Sequence, residues 1–122
     1  MSNISREEAG PSIHSEKLSL EEQWKEILAV QMEQAFLHLL VLHKDVKNKK
    51  YFMSLVQSIH LIYEGSLFLE LFLLADCAKE TEHYLNSVYT GNLSVSKVLL
   101  SRIQEQVYLM KEIKENYFRK KM

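Results

Sequence analysis

Three glycines and one proline in 122 residues leave this chain few places to turn. A sheet protein of this length needs a turn about every ten positions, so the scarcity predicts long helices with short links. A hydrophobic content of 47% beside 25% charged residues is enough for one compact domain with a real core. The net charge of -1 offers no bulk attraction to nucleic acid. Basic clusters at residues 44–50 and 119–121 fall at expected helix ends, where they complement the helix dipole, and no aromatic-basic interleaving accompanies them. The greasiest stretch, residues 67–75, is interrupted by Glu70 and falls far short of the roughly 20 residues that span a bilayer. Neither a nucleic-acid nor a membrane partner is therefore expected.

Residues 1–18 are polar, contain Gly10 and Pro11, lack the apolar core of a signal peptide, and read as a flexible lead-in to a domain over residues 19–122. The single cysteine, Cys77, has no partner for a disulfide and no metal-ligand neighbour. It is expected to point away from the apolar stripe of its helix, in a reducing, cytoplasmic setting.

Four helices follow from the periodicity. Ser19-Leu20-Glu21-Glu22 has the form of a capping box and is expected to open a first helix over residues 20–43, with Trp24, Ile27, Leu28, Ala35, Leu39 and Leu42 inward. A second is expected over residues 49–66, with Phe52, Leu55, Val56, Ile59, Ile62 and Tyr63 as its apolar face. A tight turn is placed at residues 67–70, and a third helix runs to Thr90, where Gly91-Asn92 is a left-handed stop. The fourth starts after Ser94 or Ser96 and turns Leu99, Ile103, Gln106, Met110, Ile113 and Tyr117 inward. The expected fold is an all-α, antiparallel, up-and-down four-helix bundle. Apolar excess at Leu67, Phe68, Leu69, Phe72 and Leu73 exceeds what one stripe needs and points to an interface, a homo-oligomer among the options.

One residue breaks the pattern. In the third helix Leu71, Leu74, Ala75, Ala78, Glu82, Leu85 and Tyr89 recur at threes and fours, so Glu82 falls within the apolar stripe. A carboxylate there requires a partner. His60, about 100° around the second helix from Ile59, projects at the rim of that helix's apolar face and is the candidate. An imidazole held by such a carboxylate has one nitrogen fixed as donor and the other left as acceptor or nucleophile. The simpler alternative is a rim histidine with a salt-bridge mate. Glu80 and His83 form a Glu-x-x-His step, but a metal-carboxylate bundle needs that step twice, and the other histidines have no glutamate three residues before them.

The stretch Ser58-Ile59-His60-Leu61-Ile62-Tyr63-Glu64-Gly65-Ser66 resembles the histidine-phosphotransfer motif, most closely the chemotaxis sensor-kinase form Ala-His-Ser-Ile-Lys-Gly-Gly-Ala. Residues 82–93, Glu82-His83-Tyr84-Leu85-Asn86-Ser87-Val88-Tyr89-Thr90-Gly91-Asn92-Leu93, are similar to that family's Met-Glu-Asn-Leu-Leu-Asp segment and its closing Gly-Glu-Met or Gly-Glu-Leu turn. The resemblance covers about residues 19–117. It implies that His60 accepts a phosphoryl group while Glu82 orients its ring, and that the partners are a histidine kinase, a response-regulator receiver domain or both, in two-component signalling. Such a protein is a phosphoryl carrier on a histidine rather than a stand-alone enzyme. It needs no cofactor or metal of its own, and no Gly-rich nucleotide loop or magnesium-binding aspartate cluster is present.

Two positions depart from the motif. Where the family carries lysine and then glycine, three and four residues after the histidine, this chain has Tyr63 and Glu64. These, with Gly65, are the expected partner-docking positions. Glu64, one turn from His60 on the same face, opposes an incoming phosphoryl group. Lys79, one turn before Glu82, is the candidate replacement cation. The alternative function is a non-catalytic relative that binds a receiver or kinase.

Overall fold

The fold is taken from a computed structural model that describes the backbone of residues 2–121 and the side chains of residues 19–119. It is an all-α four-helix bundle: α1 (Ser2–Lys44), α2 (Lys49–Phe68), α3 (Phe72–Tyr89) and α4 (Lys97–Lys121). Among the described residues each helix packs on its two ring neighbours and none packs across the diagonal. Trp24 of α1 meets Phe68 of α2, His60 of α2 meets Glu82 of α3, Cys77 of α3 meets Gln106 of α4, and Phe36 of α1 meets Tyr108 of α4. These contacts make every adjacent pair antiparallel, the up-and-down order that short links impose. Leu28, Leu39, Leu42, Leu55, Ile59, Ile62, Leu74, Leu85, Leu100, Ile103, Val107 and Met110 are fully buried and form one core.

Several expectations are corrected. The first helix does not begin at Ser19. Its backbone runs from Ser2 through Ser19 without a break, and Glu22 reaches forward to Lys25 Nζ at 3.4 Å rather than back to cap a helix start. A capping box stops a helix only where the preceding backbone leaves helical geometry, and the Ser-Glu-Lys of residues 15–17 is compatible with continuing. The flexible lead-in expected over residues 1–18 falls on side chains outside the described residues.

On α3, Tyr89 is 67% exposed, whereas Cys77 and Thr81 are buried. The inward face is thus rotated from the one expected, centred on Leu74, Ala78, Thr81 and Leu85, and Glu82 lies at its edge. Leu71, Leu74, Ala75, Ala78 and Leu85 stay buried as expected, so the shift is only a few tens of degrees, and packing between two flanking helices buries a wider arc than one stripe. On α4, Leu100 and Val107 join the core for the same reason, while Gln106 is half-buried. Ser96 is its N-cap, accepting from Leu99 N at 3.1 Å.

The two inter-helix stops of α2 and α3 use the same hydrogen-bond pattern. After α3, Gly91 has φ +87°, with Gly91 N donating to Val88 O and Asn92 N to Ser87 O. After α2, the left-handed position is Glu70 at φ +59°, with Glu70 N donating to Leu67 O and Leu71 N to Ser66 O. Both are Schellman caps, the second with a side chain where glycine is favoured. The turn falls at residues 69–71, starting two residues later than the expected 67–70 because α2 continues to Phe68. It leaves Leu67, Phe68, Phe72 and Leu73 exposed at that end of the bundle.

Candidate functional site

α2 is positioned by Asn48, whose side chain accepts from Tyr51 N at 3.1 Å, and by its buried face of Phe52, Leu55, Ile59 and Ile62. With Ile59 and Ile62 turned into the core, His60 emerges beside α3 with its side chain 50% exposed. Glu82 emerges next to the buried Thr81 and Leu85, with its side chain only 18% exposed. Across the seam, His60 Nδ1 and Glu82 Oε2 are 2.7 Å apart, a short hydrogen bond in which the ring N–H donates. The structure therefore brings together the two residues that the sequence paired.

The other ring nitrogen is not free. His60 Nε2 lies 3.2 Å from Glu64 Oε2, one turn along α2, in an ion pair whose partners are both about half-exposed. The pKa of His60 is raised above 6.5, first by the hydrogen bond to Glu82; burial opposes this as the next largest effect, and the negative charges of Glu82 and Glu64 add to the rise. The raised pKa favours the imidazolium form, in which the ring donates one N–H to each of the two carboxylates. Such a ring is accessible but not nucleophilic until it loses the proton on Nε2 and Glu64 turns aside.

The remaining candidates occupy distinct places. Tyr63 is half-buried beside His60, ring centroids 6.5 Å apart, and Lys79 Nζ stands 5.1 Å from the Tyr63 ring centroid. Among the described residues Lys79 makes no ion pair with Glu64 or Glu82, so its ammonium serves a cation–π contact with Tyr63. Gly65 is buried. A Cβ at this position would stand 2.8 Å from the Trp24 ring and 3.2 Å from Leu28 Cδ2, so glycine here lets α1 approach α2 and is not part of a docking surface. That corrects its expected role, and the reason is that Gly65 continues the inward series of Leu55, Ile59 and Ile62. Glu80 accepts from Gln106 Nε2 at 2.8 Å, and among the described residues no cluster of three or more His, Cys, Asp and Glu is arranged to hold a metal ion. No described helix is long and apolar enough to cross a membrane. Comparison with known proteins gives no matching family model and no match among curated proteins, so the histidine-phosphotransfer likeness rests on the residues above.

Proposed function

We propose that this chain is a histidine phosphotransfer protein of two-component signalling, accepting a phosphoryl group on His60 from a histidine kinase or a receiver aspartate and passing it to another receiver. The observation that carries the proposal is the 2.7 Å bond from His60 Nδ1 to the mostly buried Glu82. It fixes the tautomer so that Nε2, on the outward side, holds the lone pair once the ring is neutral. In the transfer step the Nε2 lone pair forms the N–P bond as the P–O bond to the donor aspartate breaks, and the bonding electrons leave with the aspartate carboxylate. The ring gains positive charge, which Glu82 stabilises through the Nδ1–H bond. Return transfer to a receiver reverses these steps. ATP, magnesium and the aspartate all belong to partners.

Glu64 favours a second reading, a phosphotransfer-like module that docks on a receiver or kinase without accepting phosphate. Its carboxylate occupies the outward nitrogen at 3.2 Å, and its charge opposes a phosphoryl group. Incubation with a phosphorylated receiver domain or an active histidine kinase, followed by mass spectrometry under conditions that preserve acid-labile phosphate, separates the two. The relay reading expects one phosphate on the parent, none on His60→Gln, and faster acceptance by Tyr63→Lys/Glu64→Gly. If that double variant stays as inert as the parent with a receiver that phosphorylates an authentic phosphotransfer domain, only the binding module survives.

A further inference from the structure

The outward face of α1 carries a pattern that the bundle does not use. Leu28, Met32, Ala35, Leu39 and Leu42 face the core, and on the opposite side Val30, Glu33, Leu37, Leu40 and Lys44 recur at alternating steps of three and four. That spacing is a heptad seam, the arrangement that keeps one line of side chains facing a second helix. Val30, Leu37 and Leu40 are 46%, 53% and 59% exposed. Among the described residues neither Glu33 nor Lys44 has an ion-pair partner, and eleven residues of helix, about 16 Å, keep them from meeting within one chain.

We infer that this face pairs with a second copy of the same chain, α1 against α1 in antiparallel order about a two-fold axis between Leu37 and Leu40. The order of charges selects both the occupant and its direction. With acid on one side of the leucines and base on the other, an antiparallel copy sets Leu37 against Leu40 of its mate and Glu33 against Lys44 of its mate, each twice by symmetry. A parallel copy would stack Glu33 on Glu33 and Lys44 on Lys44, which like-charge repulsion disfavours. The seam is self-complementary, and no other chain is required to satisfy it. The inference is independent of any phosphoryl chemistry at His60, which lies on the α2–α3 side.

The full chain, measured by size exclusion with light scattering and by sedimentation across a concentration series, tests it. A concentration-dependent dimer is expected. Leu37→Glu combined with Leu40→Glu should yield a monomer with unchanged helical circular dichroism, since both side chains are outside the core. Glu33→Lys and Lys44→Glu should each weaken dimerisation about tenfold, because each puts like charges at two symmetric positions, and the two together should restore it to within about threefold. A monomer at every concentration overturns the inference. So does a dimer indifferent to the leucine changes, which would place the contact elsewhere, at Phe72 and Leu73 for instance. A double charge reversal that fails to restore what the single reversals lose overturns the antiparallel pairing.

Discussion

The two seams on either side of α3 hold a histidine and a cysteine under opposite conditions. On the α2 side, His60 is half-exposed, held by a carboxylate at each ring nitrogen, and its pKa is raised, first by the hydrogen bond to Glu82. On the α4 side, Cys77 is buried, with Sγ 3.7 Å from the Gln106 carbonyl oxygen, and burial together with the charge of Glu80 pushes its thiol up to about 11. That seam opens into a groove of about 790 Å³ lined by Leu73, Cys77, Leu109 and Ile113 among others, yet the groove confers no reactivity on the thiol. A carboxylate near a histidine stabilises its charged form and orients it, whereas a carboxylate near a thiol disfavours the thiolate. The same helix, carrying glutamates at both edges, therefore favours the charged form at one site and disfavours it at the other.

The largest expected difference is in alkylation. Raising the thiol from 9.0 to about 11 lowers its thiolate fraction about a hundredfold, so iodoacetamide at pH 8 should modify folded Cys77 at least about a hundred times more slowly than the unfolded chain. Labelling as fast as a free thiol would break the contrast between the seams.

Next in size is Glu82→Ala. Removing the group that orients His60 should slow phosphoryl acceptance about tenfold or more, and loss of a charge-assisted bond at a mostly buried carboxylate should lower stability by about 1 kcal/mol in urea denaturation. Loss of stability with an unchanged transfer rate would reduce Glu82 to a structural mate of His60.

A smaller effect is expected from Glu64→Gln. The folded pKa of His60 lies above 6.5, so its charged pairs stabilise the fold fully below about pH 6.5, and this contribution is lost as pH rises through the raised value. Phosphoryl acceptance has the opposite trend, because Nε2 needs its lone pair, and should rise with pH through the same point. Glu64→Gln should move both transitions to lower pH while Glu82 keeps them above the ordinary histidine value. A His60 titration followed by NMR that does not move on this change would remove Glu64 from the site.

The bundle and the His60–Glu82 pair were legible in the sequence because both rest on helical periodicity, which a single chain displays directly. The Gly91 stop was legible for the same kind of reason, since glycine advertises a left-handed position. Glu70 does not, and so its Schellman cap could be placed only by the length an unbroken helix would reach. The start of α1 was misread because Ser19 and Glu22 are as compatible with a helix interior as with a cap. Cys77 and Tyr89 exchanged their expected places because packing against both α2 and α4 widens and rotates the buried arc of α3. Gly65 was assigned to a docking surface by analogy with small residues after the histidine, and only the Trp24 ring against it reveals its inward role.

On the proposed phosphotransfer reading, Glu82 fixes His60 Nδ1 as the donor and leaves Nε2 to take phosphate. The most direct test is nitrogen-15 and phosphorus-31 NMR of the chain after exposure to a phosphorylated receiver, with the phosphorylated nitrogen assigned by coupling. The expected result is a single phosphohistidine at His60, with phosphorus on Nε2 and the proton retained on Nδ1 toward Glu82. Phosphate on Nδ1, on another histidine, or on neither the parent nor the Tyr63→Lys/Glu64→Gly variant would contradict it.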